Sequence, residues 1–380
     1  MAASISTPLH GQVDRGTGLP DRAALSMKIF FEGGSSMKKL GIVFLVLVLS
    51  VATVFGQGKA IELKLAHADS TDPTVSRKQA QALTFAALVN SRSGGRLKVT
   101  VYGAGALGAE REYVEGIRAG TVEAGIASGV LSSFFPAAGI TDIPYLFPSS
   151  KIAWDVMDGP FGDKLREMFL QQTGMRCLAF AEVGFRHFTN SVRPIKTPAD
   201  LKGLKIRVME TPVYVNMLKA VGANPTPIAW TELYTALQTG VVVGQENPVG
   251  SILSAKLYEV QKYMTLDGHV YGVDWFIINE KFYKSLPADL QYIILDSAQI
   301  SSTVSRGVMN YLNAAGLDQL AAAGMQIYSP TDAEMEQFRK AMQPPVIDYL
   351  KTRVDPKLID ELLKTVNDAV AQQKAKEGLK

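Results

Sequence analysis

The chain reads as an α/β protein of two lobes, with a mostly parallel sheet covered by helices. Strand-like and helix-like stretches alternate from residue 61 onward, the pattern of strands laid side by side with helices on their faces. The composition never breaks at a linker, so two lobes would share crossing strands. A helical pattern then runs from Pro287 to about Ala323, long enough to brace both lobes. A length of 380 residues is comfortable for two such lobes.

Each element has its own signal. Ile61 to His67 alternates apolar residues with Glu and Lys and predicts a strand. Val75 to Ser91 places Ala80, Leu83, Ala86, Ala87 and Leu88 at helical spacing, closed by Ser93-Gly94-Gly95. Arg96 to Tyr102 predicts a second strand, about Ala109 to Ala119 a helix, and Thr121 to Ser128 a third strand. A helix near Ile152–Gln172 and a strand near Arg176–Glu182 follow, then a second α/β segment over about Phe185 to Gly268. Pro287 fits a helix start, and Asp332 to Lys374 reads as two more helices.

Composition narrows the function classes. The chain carries 39 Lys and Arg against 36 Asp and Glu, and five and three of these fall in residues 1–56, so the remainder is nearly neutral. A nucleic-acid binder shows a basic stripe, and none is present. Met37-Lys38-Lys39, the apolar run Leu40 to Leu49 and the small residues near Val54-Phe55-Gly56 read as a cleaved secretory signal over 37–56. The run is short of the roughly 20 residues a membrane span prefers. Residues 1–36 are polar and aperiodic, and are expected to be a non-native extension, with the natural start at Met37. Cys177 is the only cysteine, flanked by apolar residues, and is expected to be buried.

Few residue patterns suggest chemistry. Gly103 to Gly108 is a formal G-x-G-x-x-G, but Glu123 sits too early in its strand for the acid of a dinucleotide site, so a plain glycine-rich turn is preferred. The four histidines form no close metal pair, and no cysteine cluster exists. His187 and His269 are read as structural, whereas His67 ends the first strand, where ligands of open α/β sheets tend to bind. No cofactor and no metal are implied, and no nucleophile elbow is present.

The strongest pattern suggests capture. Arg207 lies in the alternating strand Leu204-Lys205-Ile206-Arg207-Val208, and Asn247 precedes Pro248, which holds it extended. A guanidinium fork matches both oxygens of a carboxylate. Arg186 lies one strand earlier and can approach the same ligand, and Trp230 offers a flat packing surface. Each alone is commonly a surface charge or a core aromatic; together they point to an anion site.

These stretches resemble the solute-binding proteins of tripartite ATP-independent periplasmic (TRAP) transporters, the DctP-type family. The resemblance rests on Phe185-Arg186-His187-Phe188-Thr189-Asn190, Asp200 through Val208, Gly222 through Pro227, Glu232 through Gly240, Gly244-Gln245-Glu246-Asn247-Pro248 and Tyr258 through Tyr263. It covers about Ile61 to Leu363. It implies a two-lobed, type II-like Venus-flytrap fold, with 57–183 and 273–310 in the first lobe and 184–272 and 311–380 in the second. It implies Arg207 as the main carboxylate ligand, Arg186 and Asn247 enclosing it, and Trp230 packing on it. First-lobe contacts would come from His67 or Ala68 and from Ser128 or Gly129. The family commonly has an acidic residue where this chain has Val243, which bears on lobe packing rather than on the ligand. The expectation is a periplasmic, non-enzymatic receptor that binds a small organic acid and delivers it to small and large integral membrane subunits. A sugar acid (uronate or aldonate) is favoured, with a C4-dicarboxylate or other monocarboxylate as the alternative and a secreted enzyme on such acids as a distant one.

Overall fold

A computed structural model describes residues 59–378. The proposed extension and signal, residues 1–56, lie outside the described residues. Nine strands form one sheet in the order β2-β1-β3-β8-β4-β7-β5-β6, with β9 beside β8. The strands are β1 (Ile61–Ala66), β2 (Leu97–Tyr102), β3 (Ala124–Ala127), β4 (Met175–Asn190), β5 (Lys205–Val208), β6 (Asn224–Pro227), β7 (Gly244–Asn247), β8 (Tyr263–Asn279) and β9 (Gln326–Tyr328). Helices α1 (Arg77–Arg92), α2 (Glu110–Ala119), α3 (Ser150–Met157) and α4 (Pro160–Thr173) belong to the first half of the chain. Then come α5 (Pro212–Ala220), α6 (Leu233–Gln238), α7 (Val249–Ser254), α8 (Glu280–Ser285), α9 (Ala288–Ala322), α10 (Asp332–Lys351) and α11 (Pro356–Lys376).

Short parallel strands at each end of the sheet are joined by a long antiparallel pair in its middle. β1 pairs parallel with β2 and β3 at one end, and β5 pairs parallel with β6 and β7 at the other. β4 has 16 residues and β8 has 17, so each reaches across both parts. This is the shared crossing that the unbroken composition implies. The antiparallel register slips between Glu182 and Gly184, opposite Val273 and Gly272. An extra residue in one strand adds local bend and twist, and here it falls where the sequence places the lobe boundary.

Two elements differ from the sequence reading. The helix expected over 152–172 is two helices, α3 and α4, because Gly159-Pro160 interrupts it: Pro160 cannot donate to a continuing helix and instead opens α4. The strand expected over 176–182 continues to Asn190, and its partner β8 is one residue longer still. Both are buried on both faces through much of their length, which erases the alternation that would reveal a strand.

Helix α9 has 35 residues and spans about 50 Å. Its first half packs Leu290, Ile294 and Ala298 against Leu63, Phe85 and Phe276. Near its end Leu320 packs with Leu237, Ile252 and Met264. It approaches α7 so closely at Gly316 that a Cβ there would lie 2.5 Å from Leu253 and 2.6 Å from Val249. A side chain at 316 would therefore force the Leu253 and Val249 side chains to move. Cys177 is buried as expected, and burial pushes its thiol up to about 12.

Candidate functional site

A cleft of about 500 Å³ of space, counting its open mouth, lies between the ends of the parallel strands. One wall carries Asp69, Arg77, Lys78, Glu110 and Ser128, and the other carries Arg207, Met209, Glu210 and Trp230. Arg186 and Asn247, on β4 and β7, also line it. The walls touch beside the cleft: Ser132 Oγ lies 2.7 Å from Thr211 Oγ1, and Arg77 Nη1 lies 3.3 Å from Ser251 Oγ.

The first wall is a closed electrostatic network. Arg77 donates from Nε to Asp274 at 2.8 Å and from Nη1 to Asp69 at 2.9 Å. Lys78 Nζ lies 3.0 Å from Glu110 and 3.5 Å from Asp274. Burial works against its charge, but Asp274, Glu110 and Asp69 outweigh it and hold the ammonium protonated. Glu110 also accepts from the Ser128 backbone N–H at 2.6 Å and from its hydroxyl at 2.9 Å. Every charge on this wall therefore has an opposite partner, the condition for burying charge without a large penalty.

The second wall is different. Arg207 sits near the end of β5, where Lys205 at the strand's start is exposed and Arg207, on the same face two residues on, is buried and lines the cleft. β5 can lie against β7 because Gly244 has no side chain: a Cβ there would be 2.6 Å from the Thr189 carbonyl and 2.7 Å from Ile206. Arg207 Nε donates to the Ile228 carbonyl at 2.8 Å, yet Nη1 is buried without a partner, and the residue is 2% exposed. Burial lowers its pKa to about 10, so it remains charged at neutral pH but at a cost. A desolvated cation with a free donor is stabilised by any anion that reaches it.

Arg186 is already paired. Its Nε and Nη2 donate to the two carboxylate oxygens of Glu246 at 2.5 and 2.9 Å, and Nη2 also reaches the Glu246 carbonyl at 2.7 Å. Glu246 in turn lies 3.2 Å from His269 Nε2, whose Nδ1 lies 2.9 Å from Asp267. All four side chains are essentially inaccessible. Arg186 lines the cleft, but a carboxylate ligand would have to compete with Glu246 for it.

The other expected residues divide. Ser128 and Trp230 line the cleft, and Asn247 does so with its amide donating to Gln245 at 2.6 Å. His67 does not line it: its Nε2 lies 2.6 Å from Gln79 Oε1, and the Gly103 backbone covers the ring. The end of β1 reaches the cleft through Asp69 instead. Ala68 lines a separate pocket that also touches Trp230, and Gly129 opens a short 3-10 turn.

Sequence reasoning missed Asp69, Arg77, Lys78 and Glu110. One signal was available: Arg77-Lys78 forms the first turn of α1 directly after its cap Ser76. Cations are disfavoured at a helix N-terminus, so a basic pair there implies carboxylates close by.

Comparison with known proteins decides the family. The family model for bacterial extracellular solute-binding proteins, family 7 (DctP), matches residues 68–352. This chain belongs to the DctP family of solute-binding proteins. A solute-binding protein of Verminephrobacter eiseniae is 43% identical over 262 residues, covering 69% of this chain and 77% of its own. The sugar acid binding protein DctPAm of Advenella mimigardefordensis, solved with galactonate, superposes with a TM-score of 0.78 at 32% identity, covering 82% of this chain and 99% of that one. A TRAP periplasmic solute binding protein of a Polaromonas species, solved with D-erythronate, gives a TM-score of 0.74 at 37% identity, covering 80% and 98%. The two-lobed DctP fold and the role of TRAP solute receptor follow, as the motifs imply. Among the described residues no helix is long and apolar enough to cross a membrane.

Proposed function

We propose that the cleft binds a hydroxylated monocarboxylate, a sugar acid of the aldonate or uronate class, and that the protein delivers it to TRAP membrane subunits. The observation that carries this reading is the buried, unpartnered Nη1 of Arg207. A carboxylate placed there supplies the missing acceptor and the missing charge, worth about 2–5 kcal/mol once water is excluded. Arg186, held by Glu246, keeps Nη1 as its remaining donor, and Asn247 adds its amide. Trp230 packs on the carbon chain. The paired carboxylates and cations of the first wall accept and donate to hydroxyl groups, together with Ser128.

A dicarboxylate suits this cleft less well. Its second anion would face Asp69 and Glu110 on the first wall, where no cation is left unpaired. The galactonate and D-erythronate bound by the two relatives are of the favoured class. The reading also places the protein in the periplasm after removal of residues 37–56. It divides the lobes at 183/184, 272/273 and 310/311, and involves no catalytic step. A thermal-shift comparison of galactonate, glucuronate and succinate tests it. A ligand at a hundred times its Kd stabilises by about 2.7 kcal/mol. The sugar acids are expected to raise the melting temperature and succinate to leave it unchanged; the reverse pattern would overturn the assignment.

A further inference from the structure

A second cavity opens on the other side of the crossing strands, with about 1,080 Å³ of space including its mouth. β4 separates the two: Arg186 faces the cleft, while its neighbours Phe185 and His187 face the second cavity. This follows from the side-to-side alternation of a strand. The walls are largely apolar, formed by Phe147, Phe185, Leu266, Leu317 of α9 and Met335 of α10.

Two donors in this apolar lining are free. His187 Nδ1 accepts the Gly268 backbone N–H at 3.0 Å, so the proton of the neutral ring sits on Nε2. Burial lowers the ring's pKa to about 4 and keeps it neutral. Nε2 has no protein partner among the described residues. Asn313 Oδ1 accepts the Gly250 N–H at 3.2 Å, and its Nδ2 likewise has none. Acceptors are not free: Asp267 takes the Phe188 N–H at 3.3 Å, the Tyr145 hydroxyl at 3.3 Å and His269 Nδ1 at 2.9 Å. Its charge also repels anions. Tyr145 reaches Asp267 from a left-handed backbone conformation, φ 56°, which costs energy for a residue with a side chain.

We propose that this cavity is a second small-molecule site, for an uncharged, ring-sized, mostly apolar ligand carrying one carbonyl-type acceptor. The acceptor takes the free protons of His187 and Asn313, and the ring packs among Phe185, Leu266 and Leu317. The site is wired to the cleft through side chains in direct contact: Asp267 holds His269, which holds Glu246, which holds Arg186. An occupant that shifts Asp267 therefore changes the affinity of the cleft for its acid, and by linkage the acid changes the affinity for the occupant.

Acetophenone is a suitable probe, with toluene lacking the acceptor and benzoate carrying a charge. Saturation-transfer NMR on the full chain is expected to show acetophenone binding that Leu317→Trp weakens by placing a bulkier ring where the ligand's ring packs. His187→Phe is expected to weaken it about tenfold, the loss of one hydrogen bond. Toluene should bind more weakly than acetophenone, and saturating galactonate should not displace acetophenone competitively. Absence of transfer at the solubility limit, transfer unchanged in both variants, or competitive displacement by galactonate would each overturn the site. The wiring is read separately, as a change of about fivefold in galactonate Kd with acetophenone bound; an unchanged Kd overturns it. Only this second measurement rests on the proposed function, so a protein that binds acetophenone but no sugar acid leaves the second site standing and removes the cleft assignment.

Discussion

The two walls of the cleft hold buried cations in opposite ways. On the first wall Arg77 and Lys78 are matched by Asp69, Asp274 and Glu110, and both are held in the charged form. On the second wall Arg207 is as deeply buried but has a backbone carbonyl and no carboxylate as its partner. A paired wall is a surface of donors and acceptors in which three carboxylates cover two cations, a formal net charge of −1. An unpaired one is an incomplete ion pair. In the function proposed above, that difference assigns the carboxylate of the ligand to Arg207 and its hydroxyl groups to the wall opposite. Arg186 stands between the two cases: it lines the cleft, yet Glu246 already satisfies its charge.

The largest effect is expected from breaking the pairing behind Arg186. Glu246→Ala leaves Arg186 and His269 as buried charges without their shared partner and should cost about 3–5 kcal/mol, read by denaturant unfolding. A loss below about 1 kcal/mol would mean that the two cations find other acceptors. Asp274→Asn attacks the first wall more gently, because the amide oxygen still accepts from Arg77. A loss of about 2 kcal/mol is expected, with sugar-acid affinity weakened as Arg77 and Lys78 lose their orientation.

Legibility in the sequence follows the same division. Arg207, Arg186 and Asn247 stand in short motifs whose spacing carries meaning by itself, and the structure brings all three to the cleft. The first-wall network is assembled from residues far apart in sequence: Asp274 lies 197 residues from Arg77. No local pattern connects them. His67 illustrates a related difficulty, since the end of a strand is readable but the direction of its last side chain is not. Glu246 was visible in the motif, but its pairing with Arg186 depends on β4 and β7 lying side by side with His187 opposite Asn247. The long helix was readable because its pattern runs unbroken, whereas β8 was hidden by burial on both faces.

The smallest expected effect is a dependence on pH. Burial pushes the His269 ring down, but Asp267 and Glu246 outweigh it and hold it up at about 9. A folded pKa above the unfolded value of about 6.5 contributes stability that is complete below pH ~6.5 and lost as pH rises through ~9. Melting temperature should therefore fall between these values in the native protein. His269→Gln should start lower and show a flatter profile across the same window; an equally steep profile would assign the fall to other groups. Burial also raises Asp142 to about 7, which works against the fold as pH rises toward that value, so Asp142→Asn should melt higher than the native protein at pH 8.

The central claim is that Arg207 is an ion pair awaiting its anion, and calorimetric titration of galactonate into Arg207→Met tests it most directly. Methionine fills the space and removes the charge. The variant should lose about 2–5 kcal/mol of binding free energy. Without ligand it should melt at or above the native temperature, because a buried unpaired donor has been removed. Galactonate binding within about threefold of native, less than 1 kcal/mol, would show that the carboxylate is held elsewhere and would contradict the account.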